Sequence, residues 1–189
     1  MRRTNIRETI MEASMQYLAQ YGCKFSIDDM VKSLDMSKRT FYRYFESKEV
    51  LLMALVDLLT EEVQQTMSRI AEDTSLTTEE KLYHVLTIET NFEKVVSFRR
   101  IPELEKYYPT VYRYLLERYE LDWSVSESLL VQGIQEGIYR EQNVELIKNL
   151  LQNGMQMLCK GDFLERNGMT YQEGLHQVVQ IILNGVRKV

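Results

Sequence analysis

The stretch Ser37-Lys-Arg-Thr-Phe-Tyr-Arg-Tyr-Phe-Glu-Ser-Lys48 gathers four cations and two tyrosines around two phenylalanines. At about 100° per residue, Phe41 and Phe45 fall one above the other on one face of a helix, with Arg39 and Arg43 stacked on the opposite face. The first pair can anchor the helix, and the second can donate to base edges, guanine above all. Lys38, Thr40, Tyr42 and Tyr44 lie on the flanks, where ammonium and hydroxyl groups suit phosphates. Ser37 can cap the helix through its hydroxyl. Residue types and spacing together predict a helix that touches double-stranded DNA.

The elements upstream are those needed to position it. Ser26-Ile-Asp-Asp29 has the form of a capping box, and Ile27, Met30, Val31 and Leu34 supply one apolar stripe, so a short helix precedes. Asp35-Met36-Ser37 then forms a tight connection, which makes a helix-turn-helix. Before it, Ile6, Ile10, Ala13, Tyr17, Leu18 and Tyr21 recur at three- and four-residue steps up to Gly22, a natural helix terminator.

From Ile6 to Leu55 the chain resembles the DNA-binding domain of the TetR family of transcriptional regulators. The resemblance rests on the first helix closed by Tyr21-Gly22, on Ser26-Ile-Asp-Asp-Met-Val, and above all on the string from Ser37 to Leu52. It implies that Tyr42 and Lys48 hold the DNA backbone and that Thr40 adds a phosphate contact. The base contact of Arg39 comes from helix geometry instead, since many relatives carry a small residue there. The resemblance also implies an all-α fold of about nine helices. Residues 1–47 would form the DNA-binding domain and residues 48–189 a larger helical domain for effector binding and dimerisation.

Composition agrees with two helical domains: 189 residues, 44% apolar, with only two prolines and eight glycines. The net charge of −5 argues against a nucleic-acid partner only until its distribution is read. Residues 1–50 hold nine Lys+Arg against seven Asp+Glu, a balance of +2; the rest hold 14 against 21, a balance of −7. The opening Met-Arg-Arg-Thr-Asn lacks the apolar stretch of a secretion signal, and the run from Val50 to Val56 is too short to span a bilayer. A cytoplasmic protein without membrane association is expected, with Arg2 and Arg3 as a candidate arm on DNA. Cys23 and Cys159 lack metal-ligand spacing and read as small buried residues.

Beyond Ser47, Leu51, Leu52, Leu55, Leu59, Val63, Met67 and Ile70 trace a long fourth helix. Thr77-Thr-Glu-Glu80 caps a fifth that continues through Leu82, Val85, Leu86, Phe92, Val95 and Val96. Pro102 opens a short sixth, and Pro109 a seventh running to about Gly137. The last two run from about Val144 to Lys160 and from Tyr171 to about Arg187. In TetR-like proteins this final pair packs against a second subunit, which implies a homodimer and makes Leu150, Gly154, Leu158, Val178, Val179, Ile182 and Val186 interface candidates. The same residues would also serve as ordinary intrachain core. The family's small-molecule pocket lies among helices five to seven, where Tyr83, Phe92, Tyr108, Tyr112 and Trp123 are candidate lining residues for an effector.

Two histidines, His84 and His176, and no glycine-rich phosphate loop leave no basis for catalysis, a metal or a cofactor. The expected function is a ligand-responsive repressor bound as a homodimer to a palindromic operator. The alternative is a DNA-binding dimer whose acidic body answers to a protein partner. A near-solid body between helices five and seven would favour that alternative.

Overall fold

The computed structural model describes residues 5–91, 100–120, 123–159 and 162–188. Among these it is all-α, with eleven helices and a single isolated β-bridge between Tyr139 and Arg187. The helices are α1 (Ile6–Tyr21), α2 (Ile27–Ser33), α3 (Lys38–Tyr44), α4 (Lys48–Glu72), α5 (Thr78–Leu86), α6 (Ile101–Tyr107), α7 (Pro109–Glu120), α8 (Ser124–Gln135), α9 (Val144–Cys159), α10 (Phe163–Arg166) and α11 (Tyr171–Val186).

The count exceeds the expected nine for two reasons. The seventh helix, expected to run from Pro109 to about Gly137, is described in two stretches, α7 and α8, although no glycine or proline between them signals a stop. The one-turn helix α10 is too short to leave a periodic apolar signal. Phe92, Val95 and Val96, placed in the fifth helix by their spacing, lie outside the described residues, as do Arg2 and Arg3.

The chain divides into two compact units, the first formed by residues up to Glu61 together with Thr90–Arg118. Its core holds Ile10, Leu18, Phe25, Met30, Val31, Phe41, Phe45, Leu51, Leu52 and Leu55, all nearly or fully buried. In α1 the apolar residues recur at helical spacing toward this core, and Gly22, at φ +69°, accepts the left-handed conformation that stops the helix. A 3₁₀ turn, Gly22–Lys24, then leads to α2.

The second unit comprises Glu62–Glu89 and Tyr119–Val189. Its core joins Leu82, Val85 and Leu86 of α5, Leu129 and Leu130 of α8, Ile147, Leu151 and Leu158 of α9, and Leu175, Val179 and Leu183 of α11. Full capping boxes start α5 at Thr77/Glu80 and α11 at Thr170/Glu173, where each side chain accepts from the other's backbone N–H. Helices α9 and α11 meet closely: a Cβ on Gly154 would lie 2.5 Å from Val178 Cγ1.

Candidate nucleic-acid interface

The helix-turn-helix is assembled by hydrogen bonds that the sequence pattern anticipates. Ser26 Oγ accepts from Asp29 N at 3.3 Å to begin α2, and Ser37 Oγ accepts from Thr40 N at 3.0 Å to begin α3. Between them Asp35 sits at φ +52°, a left-handed turn that an aspartate tolerates, and Met36 N–H donates to Val31 O at 2.9 Å. The end of α2 is thereby folded back so that α3 can begin. Tyr17 Oη donates to Asp29 O at 3.2 Å, and Ser14 Oγ approaches Met30 Sδ at 3.2 Å, fixing α2 on α1.

Helix α3 splits as its periodicity predicts. Phe41 and Phe45 are buried, with ring centroids 5.9 Å apart. Arg39, Tyr42, Arg43 and Tyr44 are exposed on the other sides, with the Arg43 guanidinium 5.5 Å from the Tyr44 ring centroid. Lys38 is exposed and pairs with Asp28 at 2.6 Å; this hydrogen-bonded carboxylate raises the affinity of the ammonium for its proton. Thr40 is half-buried, and its hydroxyl lies 2.9 Å from that of Ser37. Seven of the eight candidate DNA residues, Ser37 to Tyr44, therefore occupy one short helix and its cap. Arg7, whose guanidinium sits 5.3 Å over the Phe45 ring, adds a cation that no local pattern in α1 singled out.

Lys48, the eighth, has a different environment. Its Nζ donates to Cys23 O at 2.7 Å and to Phe25 O at 2.5 Å, and it lies 3.8 Å over the Phe25 ring and 5.6 Å from that of Tyr108. One of its three N–H donors is left for another acceptor. Burial lowers its pKa from the ordinary 10.5 to about 8, a shift opposed only by charge on Cys23. Between those values the unfolded chain keeps a proton that the folded chain has released, so stability rises with pH there. The expected result is a higher urea midpoint for the first unit at about pH 9 than at about pH 7.5. That increment should be missing in Lys48→Met, and equal increments in both proteins would place its source elsewhere. The adjacent Cys23 thiol is fully buried and pushed up to about 11, chiefly by desolvation, which suits a packed side chain and not a reactive one.

The candidate effector residues fall in both units. Tyr108 and Tyr112 are half-buried in the first, with Tyr108 directed at Lys48. Tyr83 and Trp123 belong to the second, where Tyr83 Oη lies 2.8 Å from His176 Nδ1. Phe92 lies outside the described residues. Trp123 lines a cavity among α5, α8, α9 and α11 with Leu82, Leu86, Leu130, Val144 and Leu151. The Glu127–Lys148 ion pair closes one side at 2.8 Å. The cavity's volume is about 10 Å³, room for one water molecule.

The candidate interface residues also divide. Leu158 and Val179 are buried in their own unit's core, Gly154 faces Val178 of the same chain, and Val178, Ile182 and Val186 are half-buried. Leu150 is 51% exposed, and Leu146 at 56%, Met157 at 43% and Ile181 of α11 at 71% are likewise open apolar side chains. Leu146, Leu150 and Met157 share one stripe of α9.

Known proteins match at both scales. Residues 10–55 fit the family model described as "Bacterial regulatory proteins, tetR family". An HTH-type transcriptional regulator of Bacillus subtilis, YvaF, is 25% identical over 177 residues, which is 94% of this chain and 93% of that protein. EthR of Mycobacterium tuberculosis is 34% identical over 58 residues, covering 31% of this chain and 27% of EthR. A putative transcriptional regulator from Saccharomonospora viridis, solved with choline, superposes with a TM-score of 0.78 at 14% identity, covering 97% and 98% of the two chains. A TetR transcription regulator from Haloarcula marismortui gives 0.77 at 17% identity over 96% and 98%. Two buried phenylalanines set an arginine-bearing helix outward at the place where the family model applies, and the whole chain shares the regulators' helical architecture. Residues 10–55 form a helix-turn-helix of the tetR family of bacterial regulatory proteins, and over nearly its whole length the chain is similar to HTH-type transcriptional regulators.

Proposed function

We propose that the protein is a sequence-specific repressor that binds a palindromic operator as a homodimer and releases it on taking up an effector. The observation that carries the reading is the division of α3, with Phe41 and Phe45 buried and Arg39, Tyr42 and Arg43 exposed on its remaining sides. Arg39 and Arg43 donate to base edges. Tyr42, Thr40 and the remaining N–H of Lys48 contact phosphates, with Ser37, Lys38 and Tyr44 beside them. Residues 1–47 form the reading domain and residues 48–189 carry dimerisation and control.

Dimerisation is supported by the open side chains of Leu146, Leu150, Met157 and Ile181, apolar surface that water disfavours. One seven-residue recognition helix touches few base pairs, whereas two related by a two-fold axis read both halves of a palindrome. A small-molecule effector is supported by fold analogy, since the similar Saccharomonospora viridis chain was solved with choline. One observation favours a second reading, in which a protein partner replaces the effector: the cavity in the second unit has room for only one water.

Selection of random duplexes at moderate salt tests the function. The native protein should recover one palindrome and Tyr42→Ala should recover none. Arg39→Ala should bind the selected duplex about 1–3 kcal/mol more weakly and tolerate substitutions at one position of each half-site. Equal weakening of Arg39→Ala on every sequence would move Arg39 from base readout to phosphate contact. Failure of the native protein to enrich any sequence would overturn the operator reading.

A further inference from the structure

The turn that closes α1 is held by residues far away in sequence. Cys23 N–H donates to Glu103 Oε2 at 2.8 Å, and Glu103 Oε1 accepts from Arg100 Nη1 at 2.6 Å. Arg100 Nη2 in turn donates to Ala19 O, in the last turn of α1, at 3.0 Å. The opposite side of the same peptide is also taken, since Cys23 O accepts from Lys48 Nζ at 2.7 Å. The backbone of Cys23 is thus gripped through its N–H by α6 and through its carbonyl by the first residue of α4. Gly22 permits this: a Cβ there would collide with the Glu103 carboxylate. A cation at the carbonyl end of a helix and a carboxylate on a free N–H are both favourable, so the pair satisfies groups that a helix end leaves open.

We propose that Arg100 and Glu103 are positioning residues for DNA binding, fixing the Gly22–Lys24 turn against the start of α4 so that Lys48 and the helix-turn-helix meet the duplex together. The inference rests on the DNA-binding reading given above. The pair is about one-third exposed, a setting in which ion pairs add little to global stability, so its effect falls on local geometry. Neither residue touches DNA, and α6 gains through them a hold on the reading head.

Cys23, fully buried beside this turn, serves as a reporter. In a Cys159→Ser background it is the only cysteine. Two quantities are measured for the native side chain, Glu103→Ala and Glu103→Gln: the rate of Cys23 labelling by a soluble maleimide, and the affinity for the selected duplex across a salt series. Glu103→Ala should label about tenfold faster and bind about tenfold more weakly, the loss expected for one charge-assisted hydrogen bond. Its salt slope should equal the native one, because no phosphate contact has gone. Glu103→Gln, whose amide oxygen still accepts from Cys23 N–H, should recover most of both quantities, and added duplex should slow labelling of the native protein. Native affinity in a fast-labelling, less heat-stable Glu103→Ala would make the residue purely structural and overturn the inference. If Glu103→Ala does not fold, Glu103→Gln decides: near-native binding supports the inference, and a loss as large as that of Tyr42→Ala overturns it. Absence of any selected duplex would sink the DNA-binding reading itself, whereas a duplex held equally by native protein and Glu103→Ala sinks only this one.

Discussion

Replacing Phe41 by alanine should remove about 3–5 kcal/mol of folding stability from the first unit, the cost of emptying a fully buried aromatic site. Phe41 has no exposed surface, and Phe45 behind it is 1% exposed, so the neighbours can collapse only partly into the void. Set against a usual total of about 5–15 kcal/mol for a domain, the loss is a large share. Amide exchange in α1 to α3 should accelerate accordingly, and DNA binding should fall with the folded fraction. Tyr42→Ala provides the contrast. Its side chain is 52% exposed, so stability should stay within about 0.5 kcal/mol of native while DNA binding is lost on every sequence. Similar exchange in the native protein and Phe41→Ala would mean that α3 is not anchored through this ring.

The second large effect concerns the open apolar side chains of α9 and α11. Leu150→Glu combined with Ile181→Glu puts two carboxylates where a second copy would bury apolar surface, and an unpaired buried charge is strongly unfavourable. Both side chains are more than half exposed in the single chain, so its own folding should be little changed. Sedimentation should report a dimer for the native protein and a monomer for the double variant. The monomer should bind the selected palindrome about 10²–10⁴-fold more weakly, because its second half-site contact is no longer an intramolecular event. A dimer that survives both glutamates would place the subunit interface on another surface.

Local rules carried much of this architecture. Ser26, Ser37, Thr77 and Thr170 cap the helices that their hydroxyls predict, Gly22 ends α1, and Pro109 opens α7. The reading helix was legible for the same reason: Phe41, Phe45, Arg39 and Arg43 lie within one turn or two of each other, where a 3.6-residue period fixes who shares a face. Contacts between distant segments left no such trace. Nothing near Cys23 indicates that its N–H meets Glu103, 80 residues on, or that Lys48 turns its ammonium toward the carbonyls of Cys23 and Phe25. Nor does an apolar stripe say which of its edges is covered. Leu158 and Leu150 belong to the same stripe of α9, yet one is 4% exposed and the other 51%, a difference set by where α11 lies.

The one-water cavity beside Trp123 bears on how tightly this unit can hold a small molecule. A ligand larger than water that enters this cavity must either wait for the side chains of Leu82, Leu86 and Leu130 to part or force them apart. The measured dissociation constant is then the intrinsic one divided by the fraction of molecules in the open form. An open fraction of about 1% weakens apparent binding about a hundredfold, however good the fit once inside. On the effector reading proposed above, that same closed majority would hold the ligand-free protein in one conformation, and release from DNA without an effector would be governed by the packing of a few leucines.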